Sequence, residues 1–396
     1  MKVFLFWFLM ALIAYAYILY PILVGLISAV KKILTKSKLS IKTENFYPAI
    51  SIVIPAFNEA NFIVQKIENT LQLDYPKPLL QIIVIADGCT DNTIELAKEF
   101  ADVEVISNEK RLGKSAALNL AMQNATNPIT VFTDANTLLN KSCLQHIIPH
   151  FLNDKVGGVA CEKRIGETTA EHVVTQMEGL YWKYESLIKQ WESSIHSVIG
   201  AAGELFCIRT SLYTPLANNI ILDDFLLSST IIKKDYTIVY EKKSFAVEPA
   251  TYNMYEEAKR KIRIGAGAAQ SLKFLGLFPY KNLWLDVQFF SRRVIRWAIS
   301  PLALVIIFFS NYYIVQQDTS QLYYGLFFVQ LCFYILALIG LFLHWIKQTN
   351  KLALTPFYFV FMNMCMLLGF IRYFLNLQNV LWKKVKRVDQ LRAHKV

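Results

Sequence analysis

The sequence has no Cys-x-x-Cys pair among its six cysteines, Cys89, Cys143, Cys161, Cys207, Cys332 and Cys365, which removes the usual zinc and thioredoxin-type signatures. Thiols scattered in this way read as buried, reduced side chains of a cytosolic domain. No Gly/Ser-rich linker or internal repeat interrupts the chain, so one soluble domain is expected rather than two. Nucleotide fingerprints are missing too. Arg111-Leu112-Gly113-Lys114-Ser115 imitates the end of a Walker loop, but Asn108 stands where that loop needs its first glycine. Gly265-Ala266-Gly267 follows a basic helical stretch rather than a strand, so it is not a dinucleotide site. Neither an ATPase nor a dehydrogenase is supported.

Charge is absent from residues 3–30, 298–315, 322–343 and 352–371. Each run is long enough for a helix that crosses a bilayer, which needs ~20 apolar residues. The first is too long for a signal-peptide core and is followed, not preceded, by Lys31, Lys32, Lys36 and Lys38, so it reads as a retained anchor over 1–30 with its amino terminus outside. The same rule puts 43–290 in the cytoplasm and the loop before 322, which has no Lys or Arg, outside. A fourth full span would carry the basic tail over 376–396 outside as well. Either 352–371 re-enters without crossing or the tail departs from the rule, so two or three spans are expected over 298–375. The segment 271–297 mixes Phe, Leu and Trp with Lys and Arg and suits a helix lying in the membrane surface.

What is present agrees with that setting. Of 396 residues 54% are hydrophobic and the formal charge is +11, and the apolar share exceeds the ~45–50% of soluble domains. The basic clusters flank apolar runs, so anionic lipid rather than nucleic acid is the expected partner. Between the spans, β-branched runs near 50–55, 81–86, 103–106 and 129–133 alternate with helical stretches over 59–72, 92–100 and 114–125, the pattern of a parallel α/β sheet. A helix over 171–192 carries an aromatic stripe that suits core or interfacial packing better than a sugar platform.

Polar residues close these strands. SIVIPAFNEA ends in Asn58 and Glu59, QIIVIADGCTD in Asp87 and Asp91, ITVFTDANT in Asp134 and Asn136, and ILDDF supplies Asp223 and Asp224. Ligands of open α/β sheets bind beyond the carboxyl ends of the strands, so these carboxylates are expected to meet in one crevice. They could coordinate a hard cation such as Mg²⁺, which takes one or two carboxylates while substrate phosphates supply the rest. The plainer reading of Asp134-Ala135-Asn136 is an Asx-type turn, and that of Asp223-Asp224 is an N-cap pair opening a helix.

In this order, and ahead of membrane helices, SIVIPAFNEA, VIADGCTDNT, RLGKSAALN, FTDAN and LDDF resemble the inverting family-2 glycosyltransferases with a GT-A fold, in their membrane-embedded, cellulose-synthase-like branch. The motifs cover about 50–270. The resemblance implies a Rossmann-like, mainly parallel sheet over 43–270, in a cytosolic domain framed by N- and C-terminal transmembrane helices, in a multi-pass protein of a bacterial inner membrane. It implies a UDP-sugar donor, with Asn58, Glu59 and Asp87 holding uracil and ribose and Lys114 near the nucleotide. Asp134 would take the first place of the family's metal motif for Mg²⁺ or Mn²⁺, with neutral Asn136 in the second. Asp224 would be the catalytic base, beside Asp223 in place of the usual Glu. In-line inversion needs such a base within reach of the acceptor hydroxyl and a metal against the charge building on the leaving diphosphate.

The family's Gln-x-x-Arg-Trp becomes Arg260-Lys261-Ile262-Arg263-Ile264. Arg260 and Arg263 are assigned to acceptor or diphosphate with Asp223, contact with lipid headgroups being nearly as good a reading. The lost acceptor-stacking tryptophan favours short or lipid-linked products over processive synthesis. The expected acceptor is a glycan or lipid-linked sugar of cell-surface synthesis. Two other readings are a processive synthase with translocation and a non-catalytic scaffold that binds nucleotide-sugar.

Overall fold

The computed structural model describes residues 2–35, 46–166, 172–317, 320–346, 348, 350–379 and 381. They form two compact units. One gathers 26–168, 181–250 and 379–396, and the other 1–25, 169–180 and 251–378. In chain order the main helices are α1 (Lys2–Leu34), α2 (Ile63–Leu71), α3 (Thr93–Lys98), α4 (Lys114–Asn124), α5 (Cys143–Ile147), α6 (His172–Ile195), α7 (Asp223–Lys233), α8 (Met254–Leu275), α9 (Leu283–Gln317), α10 (Gln321–Trp345) and α11 (Lys351–Phe374).

The first unit is built on one eight-stranded sheet: β1 (Ile50–Ala56), β2 (Leu80–Asp87), β3 (Val103–Asn108), β4 (Ile129–Phe132), β5 (Leu138–Leu139), β6 (Val156–Ile165), β7 (Phe206–Arg209) and β8 (Thr237–Glu248), in the order β3-β2-β1-β4-β7-β6-β8-β5. Strands β3, β2, β1 and β4 run parallel, with Ile52 opposite Ile82 on one side and Val131 on the other. The four expected strands are these four, within a few residues. β7 then pairs antiparallel with β4 and β6, and β8 returns parallel to β6, so the mainly parallel half carries the polar strand ends.

Helices on the sheet bury Ile50, Ile52 and Ile54 against Ile63 and Ile67 of α2. Each fully buried Ile stabilises the sheet by about 1.5–3 kcal/mol, and truncating Ile54 to Ala would remove about 2–5 kcal/mol. This rigid base is what makes the strand ends a fixed platform.

The second unit is helical. Helices α1, α9, α10 and α11 are each long and apolar enough to cross a membrane, and Leu23, Phe309, Phe328, Trp345 and Phe374 among others leave large apolar side chains exposed. Asn311 of α9 donates its amide N–H to Gln330 Oε1 of α10 at 3.1 Å. In α8 and α11 the backbones touch. A Cβ at Gly265 would meet the Met366 carbonyl at 2.9 Å, and one at Gly369 would collide with backbone atoms of Ile262, Ala266 and Gly265. This close crossing absorbs the glycines that the sequence left unassigned.

One element differs from expectation. The surface helix anticipated over 271–297 is not one element: α8 ends at Leu275, Gly276 adopts φ 78°, and the next helix starts at Leu283 and runs on into the span. Gly276 takes a backbone conformation open mainly to glycine, and Pro279 just beyond cannot donate to a continuing helix. Helix α8 lies in the helical unit, where its small-residue face packs on α11.

Candidate active site

The first wall of the crevice is a loop held by strand ends. Asp87 closes β2, and its two carboxylate oxygens accept the backbone N–H groups of Leu112 at 2.8 Å and Gly113 at 2.7 Å. Gly88 turns with φ 63° against the Arg111 backbone, so closely that a Cβ there would overlap it. Gly113, at φ 101°, then starts α4, and the Arg111 guanidinium lies 3.5 Å from the centre of the Phe57 ring. Asn58 adopts φ 54°, a left-handed conformation Asn tolerates. Its Oδ1 accepts the Thr90 N–H at 2.8 Å, and its Nδ2 donates to Thr90 Oγ1 at 3.0 Å. The Glu59 N–H donates to Thr93 Oγ1 at 2.8 Å. Asp91 accepts the Ala60 N–H at 3.2 Å and the Thr93 N–H at 3.1 Å, so it braces this loop.

The charged centre follows from where α4 begins. Lys114 is its first residue, and Nζ donates to Asp134 Oδ1 at 2.7 Å and lies 3.6 Å from Asp223 Oδ2. Asp223 and Asp224 are the first residues of α7 and Leu222 is the N-cap, so neither aspartate is the N-cap of this helix. Asp224 Oδ2 accepts the Gly203 N–H at 2.8 Å, and Oδ1 accepts the Phe225 N–H at 2.7 Å. A Cβ at Gly203 would stand 3.1 Å from Lys114 Nζ and 3.4 Å from Asp224 Oδ2.

Electrostatics acts most visibly on Asp224 and Lys114. Burial pushes Asp224 up to about 7, reinforced by Asp223 and opposed by Lys114. Burial alone would lower Lys114, but Asp134, Asp223 and Asp224 together raise it. The result is a lysine locked in its charged form beside a carboxyl that titrates near neutrality. That pairing suits proton transfer, because a base works best when its pKa lies near the working pH.

Asp134, Asp223, Asp224 and Lys114 are thus brought together, Asp87 reaches them through Gly113, and Asn136 sits half-buried two residues beyond Asp134. No group of three or more His, Cys, Asp or Glu among the described residues forms a metal cage. Asp134 and Asn136 do offer hard oxygen donors of the sparse kind Mg²⁺ accepts.

Arg260 is engaged within the helical unit. It donates from Nε to Glu257 at 3.0 Å and pairs with Glu178. Burial alone would raise the Glu257 carboxyl, but Arg260 and Lys261 lower it. Arg263 lies half-buried one turn further along α8.

Sequence reasoning missed a second layer. Lys66 is fully buried on α2 and donates to Thr133 Oγ1 at 2.7 Å, with burial lowering its amine to about 7. Lys163 is buried between Glu204 and Glu248. A lysine on the same face as Ile63, Ile67 and Thr70, all buried, was the legible signal for Lys66.

Comparison with known proteins follows the same outline. Residues 51–204 match the family described as glycosyl transferase family 2, and 129–371 match glycosyl transferase family group 2. The chain belongs to the family-2 glycosyltransferases. It is 30% identical over 164 residues to a beta-monoglucosyldiacylglycerol synthase of Nostoc sp., across 40% of this chain and 34% of that protein. It is 24% identical over 253 residues to a poly-beta-1,6-N-acetyl-D-glucosamine synthase of Staphylococcus epidermidis, across 61% and 60%. The chain therefore spans about a third to three fifths of the length of these curated relatives. The fold superposes with a TM-score of 0.68 on a mannosyltransferase from Pyrobaculum calidifontis solved with GDP-Man and Mn²⁺, at 19% identity over 94% of this chain and 100% of that one, which makes the architecture GT-A-like.

Proposed function

We propose that the chain is a membrane glycosyltransferase that moves a sugar, with inversion, from a UDP-sugar to a glycan or lipid-linked acceptor in cell-surface glycan or glycolipid synthesis. The observation that carries this reading is the cluster of Asp134, Asp223 and Asp224 about Lys114, beside the carboxyl ends of the parallel strands. Asn58, Glu59 and Asp87 belong to the donor side. Asp134 and Asn136 would hold a divalent cation, Mg²⁺ or Mn²⁺, together with the donor diphosphate. When bound, that cation supplies neutralisation of the charge left on the diphosphate. Lys114 adds a fixed positive charge at the same place. Asp224 takes the acceptor proton, and the Gly203 and Phe225 N–H groups hold its two oxygens in place.

Short or lipid-linked products are favoured over processive chains by two features of α8: Ile264 replaces an acceptor-stacking aromatic, and Arg260 is bound by Glu257 and Glu178. The membrane arrangement we infer has the catalytic domain and the tail on the cytoplasmic side. After α1, Lys31 Nζ donates to the Ile195 carbonyl at 2.7 Å within the sheet unit. Beyond α11, Leu381 lies 3.5 Å from a Cβ built on Gly113 of the same unit. A chain that leaves and rejoins one domain crosses the membrane an even number of times. Since α11 packs on α8, which carries Glu256, Glu257, Lys259, Arg260 and Lys261, α11 is the helix assigned to re-entry.

Membranes carrying the protein, incubated with a panel of UDP-sugars at limiting enzyme and analysed by mass spectrometry, test the function. Donor-dependent short or lipid-linked products are expected. Long polymer formed while most acceptor is unused would establish the processive reading, and UDP binding without any transfer would establish a scaffold.

A further inference from the structure

We propose that Lys66 is a positioning residue of this active site, its buried amine fixing Thr133 and thereby the turn that presents Asp134. The inference rests on the glycosyltransferase reading above and adds to it a residue that touches neither donor nor acceptor.

Lys66 is 0% exposed on α2. Among the described residues its side chain has one hydrogen bond, from Nζ to Thr133 Oγ1 at 2.7 Å. Thr133 is the first residue after β4, immediately before Asp134, and its own N–H donates to the Val53 carbonyl at 3.1 Å. Its hydroxyl has one proton, which it donates to the Glu204 carbonyl at 2.9 Å, leaving its lone pairs for the amine. Thr137, 3.2 Å away, donates its hydroxyl to the Asp134 carbonyl at 2.9 Å. The turn from Thr133 to Thr137 is thereby closed from beneath, with Asp134 and Asn136 on it.

The Glu204 carbonyl gives the arrangement its reach. Its neighbour Gly203 donates the N–H that holds Asp224 Oδ2 at 2.8 Å. The amine of Lys66 therefore sits where the turn bearing Asp134 meets the loop that orients Asp224. One link ties the carboxylate assigned to the leaving group to the carboxylate assigned to the acceptor.

Stability does not explain this lysine. A buried ammonium with one neutral partner is costly, and an apolar residue of similar length in such a place is often neutral or stabilising. The carboxylate whose charge acts on the amine is that of Asp134, while the Cys143 thiol, pushed up to about 12 by burial, is neutral. The amine donates to Thr133 whether or not it carries a proton. What it contributes that methionine could not is a directed donor, and displacement of a reacting group by about 1 Å can lower turnover by ~10²-fold.

The test uses the full-length protein in detergent, with UDP and Mn²⁺ as binding probes and sugar transfer as the second readout. Lys66→Met should lower kcat by ~10-fold or more while the donor KM changes by less than about threefold. Its melting temperature should match or exceed that of the parent, and the gain in UDP affinity on adding Mn²⁺ should shrink. Thr133→Val should reproduce the kcat loss, Thr133→Ser should restore it, and the double variant Lys66→Met/Thr133→Val should lose no more than the worse single one. Parental kcat in Lys66→Met, losses that multiply in the double variant, or Thr133→Val as active as Thr133→Ser would each overturn the proposal. If Lys66→Met does not fold, the two Thr133 variants decide alone. A parent protein that transfers no sugar from any donor counts against the glycosyltransferase reading, whereas an active parent with equally active variants counts against Lys66.

Discussion

Replacing Asp224 by Asn should weaken the enzyme and strengthen the protein, and the two effects should separate with pH. The carboxyl is buried and raised from 3.8 to about 7, so in the unfolded chain it ionises about three pH units earlier than in the fold. Below about pH 4 both states hold the proton and the group is neutral to stability. As pH rises towards 7 only the unfolded state is stabilised by ionisation, so the folded protein loses ground, and above 7 the loss is constant. At ~1.36 kcal/mol per unit, the ionised carboxylate costs the fold about 4 kcal/mol at alkaline pH. Asn is uncharged at every pH and escapes this pH-dependent cost, while its amide nitrogen gives up one of the two backbone N–H groups that Asp224 accepts, a loss that does not vary with pH. Its stability advantage over the parent should therefore grow by about 2–3 kcal/mol between pH 5 and pH 8, or roughly 5–10 °C in melting temperature for a domain of this size. Transfer should fall by on the order of 10²-fold or more with UDP affinity within a few fold, the scale of lost acid–base assistance. The parent's kcat/KM should rise with pH through about 7, as a base in the free enzyme requires. Thermal melts of the detergent-solubilised pair at pH 5 and 8, with initial rates alongside, supply every quantity. A stability difference that stays flat across that range would refute the buried, raised carboxyl, and near-parental transfer would move the base to Asp223.

Asp134→Ala should abolish the gain in UDP affinity that Mg²⁺ or Mn²⁺ confers, measured by calorimetry with and without metal, and a preserved gain would remove Asp134 as the metal's main protein ligand. Gly369→Leu should destabilise the helical unit by about 1–3 kcal/mol, since its side chain has no space against Ile262 and Ala266, and an unchanged melting temperature would contradict the close crossing. A single cysteine introduced at Leu381, in a background where the six native cysteines are Ser, should resist a membrane-impermeant maleimide in spheroplasts and react after lysis. Labelling from outside would reverse the inferred orientation of the tail.

The parallel half of the sheet was legible because β-branched runs alternating with amphipathic segments admit few other folds, and Ile50–Ala56, Leu80–Asp87 and Ile129–Phe132 closed on the polar residues that now face one another. The carboxylates Asp134, Asp223 and Asp224 were visible as polar closures of apolar runs, whereas Lys114 drew attention only through the order of motifs. The antiparallel insertion of β7 between β4 and β6 left no local signal, since its pairing is set by partners far along the chain. Lys66 was hidden for a different reason: its meaning lies in Thr133, 67 residues later, and a lone lysine in a helix ordinarily reads as a solvated face. The partners of Arg260 were hidden too: motif position drew attention to substrate, whereas the structure adds Glu257, three residues earlier in the same helix, and Glu178 as its ion-pair partners.

The crossing of α8 on α11 also sets a timetable for biosynthesis. Gly265 and Gly369 are about a hundred residues apart, and at ~5–20 residues per second the ribosome needs roughly 5–20 s to deliver the second after the first. During that interval the face of α8 bearing Gly265 and Ala266 lacks the α11 backbone that packs on it in the finished fold. The helical unit consequently cannot be completed helix by helix as it emerges. Its last apolar helix is the piece that closes it, and a truncated chain ending before Lys351 would leave a bare, glycine-lined groove for quality-control proteases to find.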